Sequence, residues 1–178
     1  MSTEKGTLVR IIVAGSEGMT APAAWAKMAE ETMRGSGMSR QQLFELDCDC
    51  RRMLHHSMQP QHWNALVAFY GIDANDRGAS IRALASSVAT PAHKHFKSYA
   101  IVTWAEPQRK GAQGRRSTAI LSEDMYDMNV WDDNKGTPER TRRDWRRKIH
   151  QALFQILEGA EIEAFELLRQ NEIFDMAA

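Results

Sequence analysis

The run "ERTRRDWRRKIHQALFQILEGAEIEAFELLRQNEIF", beginning at Glu139, constrains the fold more than any other part of the chain. Its pattern is helical for over thirty residues, with Trp145, Ile149, Leu153, Ile156 and Ala160 forming one apolar seam. Thr137 and Pro138 supply the N-cap and first-turn proline of a strong helix start. Gly159 marks the place where a bend is expected. A helix that long with a single seam favours a mainly α fold, a helical bundle ending in a long C-terminal helix.

The same spacing recurs upstream. Ser39 is placed to cap "RQQLFELDCDCRRMLHHS", where Leu43, Leu46, Cys50, Met53 and Leu54 fall at helical intervals. In "HWNALVAFYG" Trp63, Leu66, Val67 and Tyr70 stand at i, i+3, i+4 and i+7. Pro60 suits the first turn there, and Gly71 suits a left-handed C-terminal conformation. Ser80 is placed to cap a helix carrying Ile81, Leu84, Ala85 and Val88, and Thr90-Pro91 to start a third that runs to about Ala105. Three short helices with tight connections make a tri-helical, helix-turn-helix-like unit. Further towards the N-terminus, "TAPAAWAKMAEETM" reads as a helix capped by Thr20. "TLVRIIVAG" is equally compatible with a short strand and a helical lead-in. The expected organisation is a lead-in over 1–19, a helical domain over 20–106 with its helix-turn-helix at about 60–105, a flexible basic loop over 107–119, and a C-terminal helical extension over 120–178.

A chain of 178 residues with 43 % hydrophobic and 26 % charged residues suits one folded domain, or one with an appended helix. The formal net charge is zero, so no general attraction to nucleic acid or membrane follows from the total. The charges are nonetheless segregated. From Pro107 to Lys148 eleven bases face seven acids, whereas from Ile149 onward Arg169 stands alone against six acids. Two surfaces with different partners are expected from the C-terminal third. Cys48 and Cys50, the only cysteines, do not form a secreted disulfide framework, and a reducing cytoplasm is the expected compartment. The apolar run around Ile11 is interrupted by Arg10 and is far shorter than the ~20 residues of a membrane span.

Chemistry-bearing clusters are sparse. Cys48, Cys50, His55, His56 and His62 are near one another, but Cys-x-Cys inside a helix matches structural zinc sites poorly. "AGSEGM" lacks the Lys-Ser/Thr of a phosphate-binding loop and the three-glycine dinucleotide pattern. No nucleophile is paired with a base and an orienting carboxylate. The expectation is a protein without catalytic residues, cofactor or metal. The third helix of the unit is more informative: "TPAHKHFKS" offers Thr90, His93, Lys94, Lys97 and Ser98 away from Phe96, a small, polar and basic set suited to phosphates and base edges. Arg142, Arg143, Arg146 and Arg147 in "RTRRDWRRK" could clamp phosphates or an acidic protein surface, and a solvated helix face is the plain alternative. The loop bases Arg109, Lys110, Arg115 and Arg116 could add to that clamp.

"DCDCRRMLHHS", "QHWNALVAFYG", "SIRALASSV" and the basic third helix, in this order over about residues 45 to 105, resemble the late-gene antitermination proteins of lambdoid phages, the Q type. Their central unit looks like the promoter-reading helix-turn-helix of sigma factors. The resemblance implies a phage or prophage transcription regulator that recognises double-stranded DNA near a promoter. It would engage bacterial RNA polymerase with its sigma factor and carry transcription past terminators into late genes. Carried over by position, Thr90, His93, Lys94, Lys97 and Ser98 would face DNA, supported by Trp63, Leu66, Tyr70, Ile81 and Leu84. Arg142, Arg143, Arg146 and Arg147 would be a second anchor, to DNA or polymerase. "TPERTRRDWRRK" has no counterpart in that pattern. The competing expectation is a phage-encoded inhibitor that binds a host protein through the charged C-terminal helix without DNA.

Overall fold

The computed structural model describes residues 3–15, 23–107, 109–110, 116–117 and 121–173. The helices are α1 (Thr3–Val13), α2 (Ala23–Ser36), α3 (Arg40–Ser57), α4 (Pro60–Tyr70), α5 (Ala74–Leu84), α6 (Lys94–Ala105), the one-turn α7 (Met128–Trp131) and α8 (Glu139–Gln170). The fold is a mainly α helical bundle. Its long element is α8, against which α1, α3, α4 and α6 all pack. The buried stripe of α8 is Ile149, Leu153, Leu157, Ala160, Ala164 and Leu168. It turns slightly from the expected seam, since Trp145 and Ile156 are only half-buried. Each large apolar side chain sealed in this way contributes about 1.5–3 kcal/mol. α8 continues uninterrupted through Gly159, the expected bend. A Cβ there would stand 3.3 Å from Nε2 of His62, so the glycine provides room for α4 to approach.

The strand alternative for the N-terminal segment is corrected: Thr3–Val13 is helical. Leu8, Ile11 and Ile12 stand at i, i+3 and i+4 and are buried, so a 3.6-residue repeat satisfies the apolar run. Arg10, the residue that breaks that run, is 2 % exposed and donates from Nε to Asp47 Oδ2 at 2.7 Å and from Nη2 to Oδ1 at 3.0 Å. Trp25 Nε1 donates to the same Oδ2 at 2.7 Å. One buried carboxylate on α3 thus fixes α1 and α2 together. It sits beside a smaller core formed by Val13, Ala14, Trp25, Ala29, Leu43 and Phe44. The cap expected at Thr20 lies outside the described residues.

Local signals set the remaining boundaries. Ser39 caps α3 as expected and forms a full capping box with Gln42. Pro60 occupies the first turn of α4. Gly71 ends α4 in an extended conformation rather than the left-handed one, and a Cβ would come within 2.5 Å of the Val67 carbonyl oxygen. The cap expected at Ser80 is displaced to Asp73, whose carboxylate accepts from the amides of Asn75 and Asp76, and Ser80 is buried inside α5. The third helix starts at Lys94 rather than at Thr90-Pro91, because the His93 ring accepts from Phe96 N and caps it. α4, α5 and α6 touch one another, so the tri-helical unit is present, with residues 85–93 as a long connection before its third helix. Within the expected basic loop, Arg109–Lys110 and Arg116–Ser117 pair as a two-residue antiparallel ribbon (β1 and β2). Among the described residues no helix is long and apolar enough to cross a membrane.

Asp47→Ala removes the carboxylate that holds Arg10 and Trp25, and a loss of about 3–5 kcal/mol in urea denaturation is expected. The double replacement Arg10→Met with Asp47→Leu should restore most of it. A single-variant loss below about 1 kcal/mol would show that the pair does not join α1 and α2 to α3.

Candidate nucleic-acid interface

Which side chains of α6 reach solvent follows from what packs on its other faces. Phe96, Ala100, Ile101, Thr103, Trp104 and Ala105 are buried. Phe96 meets Trp131 and Trp145 at ring-centroid distances of 5.3 and 5.5 Å. Tyr99 stacks on Trp131 at 6.2 Å. The Ala100 carbonyl accepts from His150 Nε2 at 3.0 Å, and Trp104 meets Phe154 at 5.9 Å. Contacts therefore climb α6 and α8 together, from Phe96 with Trp145 to Trp104 with Phe154, and the two helices run parallel.

Of the five expected α6 contact residues, Lys94 and Ser98 are exposed. Lys97 is half-buried on the flank. Thr90 lies before the helix, half-buried, with its hydroxyl oxygen accepting from Ala92 N at 3.2 Å. His93 is turned inward instead of outward. Its ring packs edge-on to Phe96 and Trp145 at 6.0 and 6.2 Å, and its Nε2 stands 3.7 Å from Oδ1 of buried Asp132. The capping bond to Nδ1 imposes this orientation, which spacing from Phe96 could not reveal. Asp132 accepts from Thr137 N at 2.9 Å, and the Thr137 hydrogen bonds hold its carboxyl below the usual carboxylate range. The exposed set gains His95, a residue the sequence reading passed over; its ring lies 4.7 Å from that of Tyr99. Its place one residue after Lys94 was the available signal.

The arginines of α8 divide in two. Arg142 and Arg146 serve the fold. Arg142 donates to Asn129 Oδ1 at 2.8 Å and to the Met128 carbonyl at 3.3 Å, and Arg146 lies 5.6 Å over the Trp131 ring. Arg143 and Arg147 are exposed and paired within the helix, with Glu139 at 2.5 Å and Asp144 at 2.6 Å. Asp144 also meets Lys148 at 2.8 Å, and the Lys148 and Arg147 bonds lower its pKa. Exposed pairs of this kind stabilise little and exchange partners readily. A groove of about 640 Å³ runs along them, lined by Met128, Arg143, Arg146, Arg147, His150 and Phe154 among others. The side chains of Arg109, Lys110, Arg115 and Arg116 lie outside what is described.

Because α6 turns Phe96, Ala100 and Trp104 towards α8, its exposed residues Lys94 and Ser98 lie on the opposite side of the helix. Arg143 and Arg147 form a separate exposed basic set on α8. The acids of α8 divide likewise. Glu161 accepts from Lys5 and Tyr70, and Glu163 from His62 at 2.6 Å and Gln59 N at 3.1 Å, which ties α1 and α4 to α8. Glu158 and Glu166 stay exposed.

The cysteines point to different surroundings. Cys48 Sγ lies 3.8 Å from the Ala14 carbonyl oxygen, whereas Cys50 is buried in the main core, where burial pushes its thiol up to about 12. Cys50 is thereby kept a thiol. Among the described residues no group of three or more His, Cys, Asp or Glu is arranged to hold a metal ion. Compared with protein-family models, curated proteins and solved structures, the chain matches none.

Burial, with Arg146 nearby, pushes His150 down to about 4 from an ordinary 6.5. The unfolded chain therefore binds the proton first. Stability from this group is complete above pH 6.5 and is lost as pH falls to about 4, by up to about 3 kcal/mol. Urea denaturation across that range should show the slope in the wild type and a flatter profile in His150→Asn. Equal slopes would mean that His150 is not the responsible group.

Proposed function

We propose that the protein is a phage or prophage transcription regulator. It binds promoter-proximal double-stranded DNA through the start of α6 and works with RNA polymerase and its sigma factor to cause antitermination of late genes. The observation that carries this reading is the tri-helical α4–α5–α6 unit, whose third helix opens with Lys94, His95 and Ser98 exposed. In a helix-turn-helix the N-terminal residues of that helix are the ones that meet base edges and phosphates. The resemblance of residues 45 to 105 to Q-type proteins adds polymerase and late-gene context. Arg143 and Arg147 border a groove that also exposes Phe154, and that mixed basic and apolar lining favours their assignment to a protein surface. That placement also favours a second reading, an inhibitor that acts on a host protein through α8 alone.

Retention of a promoter duplex should fall steeply with salt. Lys94→Ala with Lys97→Ala should weaken it and reduce the salt slope by about one for each lysine on a phosphate. Folded protein that retains no duplex even at low salt would remove the DNA role and leave the inhibitor. In transcription from a cognate promoter with a downstream terminator, increased read-through is expected. Unchanged read-through by a DNA-binding protein would reject antitermination.

A further inference from the structure

One face of α8 is left uncovered by the bundle. Arg140, Arg147, Phe154, Glu158, Ile162 and Glu166 are exposed and recur at helical intervals on that side. Phe154 and Ile162, 50 % and 54 % exposed, are the two most exposed large hydrophobic side chains among the described residues. Along the face Arg140, Arg147 and Lys148, with Asp144 among them, precede Phe154, and Glu158 and Glu166 follow it, so bases dominate the first half and acids the second. Arg140, Glu158 and Glu166 have no partner among the described residues, and Arg147 meets only Asp144 of its own helix.

We propose that this face binds the same face of a second copy of the chain, α8 against α8 and antiparallel, about a two-fold axis crossing the helix beside Ala152 and Leu153. A two-fold interface must be complementary to itself, and a charge order that reverses about its centre meets that condition. About this axis Arg147 faces Glu158 of the second copy and Arg140 faces Glu166, each pair occurring twice. Phe154 of each copy enters the groove beside His150 and Gln151 of the other, on the flank where an antiparallel pair brings like sides together. From Arg140 to Glu166 the contact runs along about 39 Å of helix. Nucleic acid laid on this face would meet Glu158 and Glu166 with its own negative charge, and an acidic peptide would meet the same repulsion. A second copy matches both halves. The proposal builds on the assignment of the α8 face to a protein.

The test is the mass of the full chain by light scattering and sedimentation across a dilution series, in low and in molar salt. Wild type is expected at twice 20.2 kDa, dissociating more readily in high salt. Phe154→Asp should weaken the dimer by about tenfold or more, with helicity retained and a fall in melting temperature no larger than the lost Trp104 and Phe69 contacts cause in the monomer. Arg140→Glu with Arg147→Glu, and Glu158→Lys with Glu166→Lys, should each be monomeric alone and dimerise when mixed. A wild-type chain that stays at 20.2 kDa throughout would overturn the proposal and leave the face to another partner. A dimer that survives Phe154→Asp, or charge variants that fail to combine, would also overturn it. Duplex retention measured on the same samples separates this outcome from the fate of the α6 reading, since a monomer that still retains DNA defeats the dimer alone.

Discussion

The apolar stripe of α8 is the constraint on which the other elements depend. Helices from both early and central parts of the chain, α1, α3, α4 and α6, pack on it. Ala160 and Ala164, with Gly159 beside them, keep the stripe narrow where α1 and α4 approach. Around that close approach the polar contacts are specific: His62 with Glu163, and Tyr70 and Lys5 with Glu161. Without α8 the apolar faces of α4 and α6 would lack their cover. The buried carboxylate of Asp47 performs a more local task, fixing α1 and α2 to α3.

The outward face of α6 follows from the same packing. α6 is held against α8 through Phe96, Ala100 and Trp104, so its outward residues are necessarily those facing away from α8. The short third helix and the long last helix thus each keep an exposed face of their own. Charge segregation in the sequence anticipated two surfaces, but its arithmetic overstated both. Arg142 and Arg146 are consumed by α7, while Glu161 and Glu163 are consumed by α1 and α4.

Where periodicity was strong, the sequence was legible: α3 with its Ser39 capping box, α4 behind Pro60, and the length of α8, although its N-cap is Pro138 rather than the expected Thr137, whose amide donates to Asp132 instead. Misreadings arose where two local signals competed or a distant partner decided. Leu8 to Val13 is rich in β-branched residues, and only the Arg10 pairing with Asp47, far along the chain, reveals why a charged residue sits in an apolar helix. Asp73 outcompeted Ser80 because it satisfies two amides at the first turn. Thr90-Pro91 carried a helix-start signal that the His93 cap overrode, and the site lost an outward histidine with it. Neighbours such as Trp131 and Asn129, which take up Arg146 and Arg142, lie on a different helix and leave no trace in spacing.

The contact between the first and last helices bears on how the chain acquires its structure. Lys5 meets Glu161 and Glu4 meets Arg169, so residues made earlier wait for partners 156 and 165 positions further along the chain. Contacts across such separations slow folding, and a nascent chain holds its early apolar faces exposed until they close. The bundle therefore completes after the ribosome has delivered α8. Until then α1, α3 and α4 form a half-built sheath that still lacks its axis.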